Sequence, residues 1–109
     1  MKIDFGVSMR DEVFNHKLRD GIKPNYCYWE FSNGIPKGAG IGSKMWVANN
    51  GRWVGYFVIE NIGYYESDDE LTFYSNSFVK KDAGERTPFR GYTFKVPGSK
   101  EALNDPVNA

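Results

Sequence analysis

Cysteine and histidine are almost missing from this chain: its 109 residues include one of each, Cys27 and His16. A single cysteine excludes an internal disulfide and a thiolate metal cluster. Its one candidate base is His16, with no third group to orient it, so Cys27 is expected to be a buried, inert thiol. A lone histidine without other ligands around it is expected to face solvent, and the carboxylates from Glu66 to Glu70 lack calcium-loop spacing. Neither a metal nor a cofactor is expected. Long apolar runs are missing as well. No stretch approaches the length needed to cross a bilayer, and Asp4 stands where a signal peptide would carry its apolar segment. The expectation is a cytoplasmic protein without membrane contact. An excess of charge of either sign is also lacking, since 14 Lys and Arg balance 14 Asp and Glu. A nonspecific duplex binder would be basic overall, so any nucleic-acid contact should be local.

That balance hides an uneven distribution. Residues 53–78 contain Glu60, Glu66, Asp68, Asp69 and Glu70 and no base, whereas residues 79–100 contain Lys80, Lys81, Arg86, Arg90, Lys95 and Lys100 against Asp82 and Glu85. Aromatic residues are plentiful at 17%, and the 12 glycines suit a turn-rich β fold better than a helical bundle. The length corresponds to one domain with a single core.

Asn50-Gly51 between two apolar runs is the strongest local signal. Both residues tolerate the positive φ of a type I′ turn, which predicts a hairpin with arms near 43–49 and 52–61. In the second arm Trp53, Phe57 and Ile59 are expected on one face and Val54, Tyr56 and Val58 on the other. With both faces apolar, this is a strand covered on two sides. Gly55 within it predicts a bulge, a bend or a close backbone approach.

Around the hairpin, residues 1–7 alternate as a strand, and a helix is predicted over 9–20, capped by Ser8 with Asp11. Met9, Val13, Phe14 and Leu18 form its buried stripe, and Gly21 and Pro24 stop it. Residues 25–31 are an aromatic strand with Tyr26, Tyr28 and Glu30 on one side and Cys27, Trp29 and Phe31 on the other. The loop 32–42 carries glycines at 38, 40 and 42, but a strand follows them where a phosphate-cradling loop needs a helix. Residues 71–79 fit a strand or a short helix, 87–96 a closing strand, and 97–109 a frayed tail. Phe5, Trp53, Phe57 and Phe94 are expected in the core. The order predicts one mainly β (α+β) domain over 1–96, a small barrel of five or six strands with one N-terminal helix packed on it.

Three segments carry a resemblance: Gly21-Ile22-Lys23 after the helix; Gly42-Ser43-Lys44-Met45-Trp46-Val47 with Gly51-Arg52-Trp53-Val54-Gly55; and Phe89-Arg90-Gly91-Tyr92-Thr93-Phe94. Their order and spacing resemble the PUA-like superfamily, most closely its ASCH branch, over roughly residues 13–96. The resemblance implies a PUA-like barrel whose cleft, between the Gly21–Tyr28 segment and the 43–60 hairpin, binds RNA or a modified nucleobase. Lys23, Tyr26, Tyr28, Lys44, Trp46 and Arg52 are the candidate ligand-binding residues, with aromatic faces for stacking and cations for phosphates or base edges. Some members are amidohydrolases acting on N-acylated cytidine through a Lys, a Thr three residues further on and a Glu. Here Lys23 and Glu60 match the Lys and the Glu, but Tyr26 stands in place of the Thr and Tyr28 in place of a following Arg. Lys23 and Glu60 are therefore the catalytic candidates if the protein is an enzyme. A protein-interaction module without a ligand site is the third alternative.

Overall fold

In the computed structural model, residues 3–19, 26–31, 34–63, 69–87 and 89–99 are described. The elements are β1 (Phe5–Ser8), α1 (Asp11–Arg19), β2 (Tyr26–Glu30), β3 (Lys44–Asn49), β4 (Arg52–Ile62), β5 (Glu70–Tyr74), a 3₁₀ turn (Ser75–Ser77), β6 (Val79–Lys80) and β7 (Tyr92–Thr93). They make one curled, seven-stranded half-barrel sheet in the order β2-β5-β4-β3-β1-β7, with β6 also on β4. One helix packs on it, through Val13, Phe14 and Leu18 against the main core. The architecture is the mainly β, barrel-like one expected, with seven strands rather than five or six, two of them only two residues long.

The hairpin forms as expected. Asn50 has φ 53° and Gly51 φ 77°, and β3 pairs with β4 from Asn49↔Arg52 to Lys44↔Val58. Met45, Trp46, Val47 and Ala48 are all buried, so β3 is covered on both faces. Met45 and Val47 join Phe5, Val7, Phe57, Ile59, Leu71 and Phe73 in the main core. Trp46 and Ala48 form a second cluster with Trp53 and Val96, closed over by Ala83 and Phe89.

One expected face is corrected here. The register slips between Val47 and Ala48, which face Gly55 and Trp53, respectively. The extra residue is Val54, and a β-bulge reverses the in–out alternation on one side of itself. Trp53 is therefore fully buried but lies on the side of Trp46 and Tyr56, while Val54 packs on the core that holds Phe57. Gly55 is both a bulge position and a close approach, for a Cβ there would meet the Val79 carbonyl oxygen and the Phe78 ring.

Other boundaries also shift. Helix α1 begins at Asp11, two residues later than expected. Ser8 ends β1, and the Asp11 carboxylate accepts from Asn49 Nδ2 at 2.9 Å and Asn50 Nδ2 at 3.2 Å, tying the hairpin tip to the helix. Residues 71–79 are strand and helix in succession. The strand line along β4 is broken by the 3₁₀ turn and resumes as β6. The Val58 N–H that the break leaves over donates to Ser77 Oγ at 3.2 Å, so the buried ladder stays satisfied. The closing strand shrinks to Tyr92–Thr93, antiparallel to β1. Phe5 and Phe57 are fully buried, and Phe94 is half-buried against the core. Beyond it, Ser99 N–H donates to the Val96 carbonyl at 3.0 Å, and residues 100–109 lie outside the described residues. Among the described residues no helix is long and apolar enough to cross a membrane.

Candidate functional site at the sheet seam

A sheet that curls without closing leaves two edges facing each other. Here they are β2, which among the described strands pairs with β5 alone, and the short β7 beyond β1. Arg90 and Gly91 bend the chain just before β7, with Gly91 at φ 68°, so too little strand remains to zip onto β2. Ring contacts bridge the gap instead: Phe31 meets Tyr92 edge-on at 5.9 Å and Phe5 at 5.8 Å, and Tyr92 meets Phe94 at 5.4 Å.

The seam opens into a cleft of about 540 Å³, within the roughly 300–1,000 Å³ range of small-molecule sites. Trp29, Glu30 and Phe31 line one side and Phe89, Arg90 and Tyr92 the other, and Ser8 at the end of β1 also lines it. Trp29 and Phe89 are half-buried, and Tyr92 is 37% exposed. Each wall thus pairs aromatic faces with one charged side chain, an acid on the β2 side and a base on the other. Such a cleft suits a flat ring with hydrogen-bonding edges.

The residues singled out from the sequence are scattered over the molecule. Lys23 lies outside the described residues. Tyr26 and Tyr28 sit on the outer face of β2. The Tyr26 ring leans on Tyr74 at 4.8 Å, and Thr72 Oγ1 lies 2.9 Å from its hydroxyl oxygen. Lys17 Nζ stands 4.8 Å over the ring of Tyr28. Two strands, β5 and β4, separate β2 from β3, which is roughly 14 Å along the sheet at normal strand spacing. Tyr26 and Tyr28 are therefore not brought to Trp46, Lys44 or Arg52, and neither lines the seam cleft.

Lys44, Tyr56 and Trp46 do come together. Lys44 Nζ lies 4.9 Å over the Tyr56 ring, which lies 4.9 Å from Trp46, but Trp46 is only 3% exposed and offers no free face for a base. Arg52 reaches the segment after β6, its Nη2 donating to the two Asp82 oxygens at 2.9 and 3.1 Å. That hydrogen bond and the Gly84 amide hold the Asp82 carboxyl below its ordinary pKa. Glu60 is exposed on β4, at the irregularity where Ile59 and Asn61 pair with β5.

Cys27 is buried with its Sγ 2.9 Å from Ser75 Oγ, His16 is exposed on α1, and among the described residues no three His, Cys, Asp or Glu gather to hold a metal ion. Of the cleft's lining, Trp29 is an aromatic that the sequence also offers for base stacking, whereas Phe89 and Tyr92 are not among the candidates read from the sequence. Phe89-Arg90-Gly91-Tyr92 was legible only as part of a strand, and nothing local to it says that the strand fails to close. No protein family, characterised protein or solved structure matches the chain.

Proposed function

We propose that this domain is a binding module for a nucleobase, in single-stranded RNA or in a free nucleotide, and that the base enters the seam cleft. The observation that carries the reading is that half-buried Trp29 and Phe89 and the more exposed Tyr92 line one cleft together with an acid, Glu30, and a base, Arg90. Stacking on such faces contributes about 1–3 kcal/mol per base, and Arg90 is placed to meet a phosphate. The reading takes up what the resemblance to PUA-like, ASCH-type domains implies about ligand class but moves the ligand to the sheet seam, away from the hairpin. The hydrolase alternative would need Glu60, which lines no part of this cleft, so Glu60 receives no role.

Tryptophan emission tests this directly, because Trp29 is half-buried and lines the cleft whereas Trp46 and Trp53 are buried and do not line it. Titration with mononucleotides and with a short oligoribonucleotide is expected to quench Trp29. Tyr92→Ala is expected to weaken binding about tenfold or more, in line with the loss of one stacking face. Emission that no nucleotide changes, or affinity untouched by Tyr92→Ala, would overturn the proposal.

A further inference from the structure

The tip of the β3–β4 hairpin sets an exposed side-chain amide beside an exposed glycine. Asn50 and Gly51 hold the positive φ of the turn, 53° and 77°, and the strands pair on either side of it, Asn49 with Arg52. The Gly51 nitrogen takes no part in that pairing. No atom beyond its chain neighbours lies within 4 Å of where a Gly51 Cβ would stand, so the residue is uncrowded. The Asn50 amide, by contrast, is held. Its Nδ2 donates to Asp11 Oδ1 at 3.2 Å, while Asn49 Nδ2 donates to the same oxygen at 2.9 Å and to the Met9 carbonyl at 3.0 Å. Asp11 opens α1. One carboxylate oxygen thus ties the helix to both amides of the turn.

We propose that Asn50 is a site of spontaneous deamidation, that Asp11 is the latch that slows it, and that the conversion unties α1 from the hairpin. In the first step the Gly51 N–H gives its proton to hydroxide and the nitrogen attacks Asn50 Cγ. The N–Cγ bond forms, the Cγ–Nδ2 bond breaks, and Nδ2 leaves as ammonia with a proton taken from solvent. A succinimide ring remains. Water then opens the ring at either carbonyl. One product is an aspartate at position 50, and the other is its isomer, with the main chain running through the side-chain carbon. The net reaction consumes one water and releases one ammonia, with no change of oxidation state. The Asn50 side chain must leave Asp11 before the ring can close, so the hydrogen bond delays the step. Either product sets a carboxylate where a donor faced Asp11. Carboxylates only accept hydrogen bonds, so an attractive contact becomes one between like charges. Of the tie, only Asn49 is left.

Peptide mapping after weeks in warm, mildly alkaline buffer reads the conversion as the mass gain of amide to acid. The chain's other Asn-Gly pair, Asn33-Gly34, is the reference in the same digest. Asn50 is expected to yield both products. Asp11→Ala should speed its conversion at least about threefold relative to Asn33, because the tip then opens more readily. No conversion at Asn50 would overturn the site, and a rate that does not rise relative to Asn33 would overturn the latch. The structural consequence is tested without waiting for the reaction, by a double-mutant cycle between Asn50→Asp and Asp11→Asn. Asn50→Asp, which the turn accepts, should move the unfolding equilibrium in urea about threefold toward the unfolded state, the scale of an exposed charge contact. Adding Asp11→Asn should recover that loss, since its amide can donate to the new carboxylate. Stability unchanged by Asn50→Asp, or a loss that Asp11→Asn fails to recover, would overturn the untying.

Discussion

Arg52 and Trp46 show how a residue type that suits nucleic acid can be committed elsewhere by its neighbours. Arg52 follows Gly51 in the hairpin and could hold a phosphate, yet its guanidinium is engaged by Asp82. Asp82 titrates below the ordinary carboxylate value, first because of the Arg52 hydrogen bond and then because of the Gly84 amide. The contribution of the pair is therefore present above the unfolded-state pKa and lost as pH falls through the lowered one, a window below about pH 4. Arg52→Ala is expected to raise the Asp82 pKa toward the ordinary value, read from its carboxyl carbon shift across an NMR pH titration. An unchanged Asp82 titration would show that the Gly84 amide alone sets it. Both groups are largely exposed, with side-chain exposures of 47% and 68%, so little change in stability is expected at neutral pH. Trp46 and Trp53 meet edge to face at 6.3 Å, and each buries its indole N–H with no acceptor among the described residues. They act as packing residues whose polar atoms weaken the second cluster rather than as ligand contacts.

At the scale of the element, β4 organises the sheet because it meets three strands: β3 on one edge, β5 and then β6 on the other. The 11-residue β4, paired on both edges, departs from regular strand geometry at Gly55 and near Glu60, where the registers slip. Gly55 has φ 150°, and its missing side chain lets the β6 backbone lie against it. Gly55→Ala is expected to lower stability by about 3 kcal/mol, combining backbone strain with a clash against main chain that cannot swing away. Urea unfolding measures this, and a loss under about 1 kcal/mol would mean that β6 can lift off β4 at little cost. Ser77 belongs to the same device. Its hydroxyl accepts from Val58 N–H and donates to the Tyr74 carbonyl at 2.6 Å, replacing the strand that the 3₁₀ turn interrupts.

The whole molecule is a sheet whose two ends nearly meet, and its least protected backbone lies where the proposed ligand enters. The Phe31 N–H to Asp69 bond fixes which β2 groups face β5: those of Cys27, Trp29 and Phe31, leaving Tyr26, Tyr28 and Glu30 toward the open edge. Amide exchange should follow that alternation. Cys27 and Trp29 are expected to exchange slowly, Tyr28 and Glu30 at least tenfold faster, and the β3–β4 centre only through global opening. Uniform slow exchange along β2 would mean that the edge is paired, and the seam closed, in solution.

The sequence by itself determined what depends on neighbours along the chain. Asn50-Gly51 between two apolar runs required the hairpin, alternation in 26–31 required a strand, and the helical stripe of Val13, Phe14 and Leu18 required α1, since each signal is a local backbone or burial preference. The tertiary structure decided what depends on residues far apart. The register slip of β3 on β4 left Val54 as an extra residue, and that bulge sent Trp53 to the face opposite Phe57. The pairing of β2 with β5, and of β5 with β4, put two strands between Tyr26 and Tyr28 and the first hairpin arm. The seam arises from two chain segments about sixty residues apart that approach without hydrogen-bonding. No periodicity in either segment records that meeting, because a gap between strands is a property of the closed path of the sheet and of neither strand alone.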